Sequence, residues 1–181
     1  MRKIGRCLAA LSLAILMTAC NAAGSGKTKN GDGLKEISNK YDHPYQTTAA
    51  VTYNGTQMKL NLEKKEDGTT VVTFTEPKML SGMNFSVGEE KITVGYLGLS
   101  FDIDPKNLSS SLIVSTMVDT FNQVAKGSGV TAQLSDNVLE VSGTTEDAEF
   151  LLRLDHESGN ALSLQVPSMG LEAEFENFRL G

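Results

Sequence analysis

Residues 24–28 read Gly-Ser-Gly-Lys-Thr, the ending of a phosphate-binding loop in which backbone amides and a lysine hold a nucleotide's phosphates. Such a loop requires a further glycine five positions before Gly26, where this chain has Asn21. It also requires a buried strand before it and a helix after it, so that amides converge on phosphate. Here Lys-Asn-Gly-Asp-Gly follows instead, and nucleotide binding is not implied. The two histidines, His43 beside Pro44 and His156 in a turn-forming stretch, make no i, i+4 pair and join no Cys-His cluster, so a zinc site has little to be built from. Asp102 and Asp104 stand together, as do Glu146 and Asp147; paired carboxylates serve acid-base chemistry or calcium binding, but the calcium-loop pattern is missing and these acids fall in solvated turns. No serine has a histidine at a motif spacing. The residues therefore argue against an enzyme and call for no metal or cofactor.

Cys20 is the one side chain with a definite chemistry. Before it lie a basic start (Arg2, Lys3, Arg6), an apolar run from Leu8 to Met17 and two small residues, the layout of a secretory signal peptide with an apolar run too short for a stable bilayer span. Met17-Thr18-Ala19-Cys20 resembles the lipobox of bacterial lipoproteins, with Met17 where leucine is usual. That resemblance implies removal of residues 1–19 and acylation of Cys20, and two or three acyl chains hold a protein at a membrane where one does so only marginally. The expected location is the outer face of a bacterial membrane. Only Cys7 and Cys20 occur, so the folded part would carry no thiol and no disulfide framework.

Loss of residues 1–19 moves the formal charge from −6 to −9, because Arg2, Lys3 and Arg6 leave and no acidic residue does. An acidic body argues against nucleic acid as a partner and against electrostatic adhesion to anionic lipid. Residues 20–40 read as the acylated cysteine and a flexible tether of Gly, Asn, Ala, Ser, Lys and Asp, with a weak helical turn around Leu34 to Tyr41. Residues 41–181 suffice for one domain with a core.

Positioning in that domain falls to strands. Apolar residues recur at every second position: Tyr45, Ala49, Val51 and Tyr53; Met58, Leu60 and Leu62; Val72 and Phe74; Met83, Phe85 and Val87; Ile92, Val94 and Tyr96; Leu97, Leu99, Phe101 and Ile103. The alternation returns at Leu139 and Val141, Ala148 to Leu154, Leu162 to Val166, and Leu171 to Phe175. Period two with one wet face predicts antiparallel strands half buried in one sheet. Asn54-Gly55 and Asp67-Gly68 mark hairpin turns, and "SVGEEK" and "HESGNA" are looser ones. The last run slips by one residue to Phe178 and Leu180, which predicts a bulge near Glu176-Asn177. Pro77 and the following residues to Gly82 break the period and predict a crossing turn. Helical spacing occurs once, at Val114, Met117, Val118, Phe121, Val124 and Ala125, with Gly127 beyond the end, predicting one helix from about Ser110 to Lys126.

About nine strands at ~4.8 Å spacing make a sheet roughly 40 Å wide, whereas a helix of about 17 residues covers a strip roughly 10 Å by 25 Å. The sheet must curl around the helix, fold over as a sandwich, or leave apolar surface uncovered. Long antiparallel strands, a Phe74-x-x-Pro77-x-x-Leu80-x-Gly82-x-x-Phe85 segment, a central amphipathic helix and further strands resemble the LolA/LolB/LppX-like superfamily over roughly residues 40–180. The resemblance implies a mainly β fold with one central helix, a highly curved antiparallel sheet or unclosed β-barrel with the helix in its concave face. It also implies an apolar cavity for a lipid or the acyl chains of a lipoprotein. No arginine of the kind that engages cargo in the carrier proteins is matched by a motif here.

On that reading the cavity is lined from the sheet by Phe74, Met79, Leu80, Met83, Phe85 and Leu99. From the helix, Val114, Met117, Val118 and Phe121 face it. The methionines outside the leader, at 58, 79, 83, 117 and 169, suit an adaptable cavity wall or a filled core equally. The alternative is a packed core and a role as a surface or envelope interaction protein with no ligand cavity.

Overall fold

The computed structural model describes residues 30–88, 91–103, 109–146 and 148–181. The expectations placed on Cys20, Asp104 and Asp147 lie outside them. Helix α1 (Asn30–Asp42) leads into β1 (Tyr45–Tyr53), β2 (Thr56–Lys64), β3 (Thr70–Glu76), β4 (Asn84–Val87), β5 (Ile92–Tyr96) and β6 (Leu99–Ile103). Helix α2 (Ser109–Lys126) follows, then β7 (Val130–Ser135), β8 (Val138–Thr144), β9 (Glu149–Asp155), β10 (Ala161–Val166) and β11 (Leu171–Leu180). The described strands form one antiparallel sheet of eleven, curved and unclosed, in the order β6-β5-β4-β3-β2-β1-β11-β10-β9-β8-β7.

The expected alternation sets the register. Ala49 opposes Leu60 on one side and Phe175 on the other, and Val72 opposes Leu62 and Phe85; all of these are buried, so one continuous face is apolar. Asn54 and Gly55 both have positive φ, as the tight hairpin between β1 and β2 requires. The bulge is where the slipped alternation puts it. Thr48 pairs with Glu176 but Gln46 pairs with Arg179, so β11 carries one extra residue, and Asn177 takes a left-handed φ of 54°. Phe178 thereby returns to the buried face.

Three expectations are corrected. The tether does not run to residue 40, since α1 begins at Asn30; two helices, not one, cover the concave face. Ile37 and Tyr41, one turn apart on α1, are 3% and 0% exposed, and this pair supplies the packing that makes a largely polar segment helical. Eleven strands are present where about nine are expected; β7 accounts for one of the difference, its alternation of Val130, Ala132 and Leu134 being only partly buried. Finally, Leu97 is not a strand residue: with Gly98 it forms the β5–β6 turn, both at positive φ.

The helices meet the sheet at an aromatic cluster. Tyr41 stacks on Phe121 at 5.5 Å, Tyr45 stacks on Phe178 at 5.5 Å, and Phe121 meets Phe175 edge-on at 5.3 Å. The Tyr41 hydroxyl donates to the Gly159 carbonyl at 2.9 Å, tying α1 to the β9–β10 turn. Lys64, itself buried, donates from Nζ to the Tyr41 carbonyl at 2.8 Å, capping the C-terminal end of α1. Burial lowers the Lys64 pKa, and the nearby Asp42 carboxylate offsets part of that.

Tyr41→Phe removes the buried hydroxyl and strands the Gly159 carbonyl, so a loss of about 1–2 kcal/mol is expected from urea unfolding. Phe121→Ala, which empties the centre of the cluster, is expected to cost about 3–5 kcal/mol. Equal midpoints for the two variants would contradict this account of the core.

Candidate binding surface on the concave face

The sheet's concave face is covered unevenly. Helix α2 lies against β4 and β8, and α1 lies against α2 and β7. The cover therefore extends from β4 across to the β7 end of the sheet. Where helix and sheet meet, Phe74, Phe85, Val114 and Met117 are 0% exposed and Val118 and Phe121 are 1% exposed. Phe74 and Phe85 pack ring to ring at 5.7 Å. Phe121 turns to Tyr41, Tyr45, Phe175 and Phe178 on the β1–β11 side, away from the side where a cavity with Phe74 and Phe85 would place it.

Six of the ten residues expected to line a cavity are thus packed in a filled interior. Leu80 and Met83 are half-buried at its margin. Met79 and Leu99 correct the expectation outright: they are 79% and 70% exposed and line nothing interior. Leu99 lies on β6, the end strand; Met79 sits in the crossing turn after Pro77.

That exposed end has a definite composition. Of the five large apolar residues exposed among those described, four (Met79, Leu97, Leu99 and Phe101) lie here, and Leu162 is elsewhere on β10. Phe101 opposes buried Val94, and Ile103 opposes buried Ile92, so Leu99, Phe101 and Ile103 belong to the concave face and continue the core outward. The Tyr96 hydroxyl donates to the Met79 carbonyl at 3.1 Å, which fixes the crossing turn beside the Leu97-Gly98 turn. Clustered apolar exposure is a feature to be explained, whereas scattered single residues are ordinary. The sequence pattern could not flag it, because alternation in β6 reads the same whether or not a helix lies on top.

On the opposite, convex face of the same end, Asp102 accepts hydrogen bonds from Thr93 at 2.7 Å and Lys91 at 3.0 Å. These two partners, Thr93 first, hold its carboxyl below the usual range, which makes it a cross-strand brace and not an acid-base group. His43 is exposed; His156 is half-buried in the turn after β9, where its backbone N–H donates to the Asn137 carbonyl. Among the described residues no cluster of three or more His, Cys, Asp or Glu could hold a metal ion, and no helix is long and apolar enough to cross a membrane.

Three open surface grooves lie elsewhere. One of about 870 Å³ runs beside Asp42, Lys64, Asp67 and Gly181, one of about 470 Å³ beside Gly143, Phe150 and Pro167, and one of about 340 Å³ beside Thr48, Asn61 and Arg179. None of these is lined by the stripe of α2. Inside the core, the Tyr45 and Thr70 hydroxyls are buried side by side. Thr70 draws the Tyr45 pKa back against the strong upward push of burial, yet neither oxygen has a partner in hydrogen-bonding geometry.

An unclosed curved sheet with helices in its concave face is the architecture that the sequence resemblance implies. No family model matches the chain, and no curated protein does. Solved structures match in fold. An uncharacterized conserved protein from Thermus thermophilus superposes on 85% of this chain and 88% of its own, with a TM-score of 0.56 at 8% identity. A chain from the complex of the CwlD amidase of Clostridioides difficile with the GerS lipoprotein covers 76% of this chain and 86% of its own, with a TM-score of 0.50 at 15% identity. A LolA superfamily protein from Nitrosomonas europaea covers 84% and 94%, with a TM-score of 0.43 at 12% identity. At such identities the likeness is one of fold.

Phe85→Ala is expected to destabilise by about 3–5 kcal/mol, because it empties a packed site. Leu99→Ala should change stability by less than about 0.5 kcal/mol, as for a side chain that packs on nothing. Chemical denaturation of both variants checks the division between filled interior and exposed rim.

Proposed function

We propose that this chain is an extracytoplasmic protein anchored through acyl chains on Cys20, and that it acts as an interaction module through the uncovered β5–β6 end of its concave face. The observation that carries this reading is the contrast across one apolar face: Phe74 and Phe85 are completely buried, whereas Leu99 and Phe101 at its β6 end are exposed, with the turn residues Met79 and Leu97 exposed beside them. An apolar surface kept in water is costly unless something covers it. A filled interior leaves the rim as the place where that covering happens.

The anchor and the surface are tested separately. Cys20→Ser should move the chain from the membrane fraction to the soluble fraction of cells; a variant that stays membrane-bound sinks the anchor. A photoreactive amino acid at position 101 should give cross-linked adducts in living cells, while the same group at Glu172, exposed on β11, should give few. Absence of adducts at 101 would remove the interaction surface.

A second reading places an apolar chain within the concave face after α2 lifts away. It is favoured by the unpartnered Tyr45 and Thr70 hydroxyls, which a ligand's polar head could satisfy. Native mass spectrometry of the full chain isolated from membranes checks it: a noncovalently bound lipid supports this reading, and a bare mass contradicts it.

A further inference from the structure

The uncovered end is also a sheet edge. Among the described residues β6 is the last strand in the order and no strand lies on its outer side, whereas the opposite edge, β7, is in contact with α1. Exposed edges are normally blunted with proline, an inward-pointing charge or a bulge. β6 has none of these: its sequence is Leu-Ser-Phe-Asp-Ile, its register against β5 is unbroken, and its only charge, Asp102, is on the convex face and engaged by Lys91 and Thr93.

The strand is also self-complementary. Apolar residues at 99, 101 and 103 and polar ones at 100 and 102 are symmetric about Phe101. The two-residue turn Leu97-Gly98 closes on the Tyr96–Leu99 pair. In an antiparallel ladder the pairs that exchange hydrogen bonds alternate, which turns the main-chain groups of Leu99, Phe101 and Ile103 toward β5 and those of Ser100 and Asp102 outward. Two copies running antiparallel about a two-fold axis through Phe101 would exchange hydrogen bonds between Ser100 of one and Asp102 of the other. Phe101 would then face its own counterpart as a close, non-hydrogen-bonded pair, and Leu99 would face Ile103. No like charges are brought opposite each other, since Asp102 meets Ser100.

We propose that a second copy of this chain occupies the β5–β6 surface, by antiparallel pairing of β6 with β6 that joins two sheets into one and covers Leu99 and Phe101. This deepens the interaction-module reading and rests on it, by naming the partner. An extended segment of a different protein could use the same edge, but it would not need the symmetry about Phe101. An isologous pairing does.

The test uses the full chain in non-ionic detergent with Cys7→Ser and Cys20→Ser, which leaves no native thiol. In that background Phe101→Cys should oxidise to a disulfide-linked dimer, because a non-hydrogen-bonded cross-strand pair has Cα atoms about 4.5 Å apart, within disulfide reach. Gln133→Cys, exposed on β7, should stay reduced. By sedimentation the cysteine-free chain should have twice the mass of one copy, and Ser100→Pro should return it to single mass. That proline removes only an outward N–H and leaves the β5–β6 ladder intact. A single mass for the unsubstituted background with no disulfide at 101 overturns the second-copy proposal. If position 101 then photo-cross-links in cells to a different protein, the surface stands and only its occupant was wrong; if it cross-links to nothing, both fail.

Discussion

The pairing of β1 with β11 holds the molecule together. The sheet order places β2 to β6 on one side of this ladder and β7 to β10 on the other, so among the described residues it is the seam, the one strand pairing that joins the two half-sheets. It joins Tyr45 to Leu180 and Tyr53 to Leu171, near the two ends of the domain. Much else follows from that seam. The bulge at Asn177 exists to keep Phe178 on the apolar face, and Phe178, Phe175 and Tyr45 then form the floor on which Tyr41 and Phe121 pack. Where the helices sit, and hence which part of the concave face they cover, is set by this aromatic floor over the central strands.

Two helices fixed over the middle and one end of an eleven-stranded sheet cannot cover the other end. The uncovered Leu99 and Phe101 are a geometric remainder of a wide sheet with a limited lid, and their contiguity with Ile103, Val94 and Ile92 makes them a surface extension of the core. The polar groups around them are braced by neighbours in the sheet: Asp102 by Thr93 and Lys91, Tyr96 by the Met79 carbonyl. Such bracing keeps the rim well formed without covering it.

Most of the sheet was legible in the sequence because burial on one face forces period two, and a one-residue slip is visible when it occurs, as at Phe178. The helix α2 was legible from its apolar stripe. Helix α1 was legible only as a weak turn around Leu34 to Tyr41, since its apolar inward residues are few and some of their partners, such as the Gly159 carbonyl, are over a hundred residues away. Strand β7 hid behind weak alternation. The candidate site was half legible: alternation shows which residues share a face, but not where a strand stands in the sheet order, and that order alone separates buried Phe85 from exposed Phe101. Phe121 likewise fell on the right face of its helix while its partners across the cluster were decided by where the helix lay.

The seam also bears on how the chain is made. Until β11 pairs, β1 has one open edge and the aromatic floor lacks Phe175 and Phe178, so neither helix has its full seat. The Gly181 amide, donating to the Pro44 carbonyl at 2.7 Å, is the final stitch. Pairing between such distant segments is slow to form because loop closure comes before the contacts that reward it. A lid seated on a floor drawn from both halves of the sheet has its full footing only once the distant strands β1 and β11 have met.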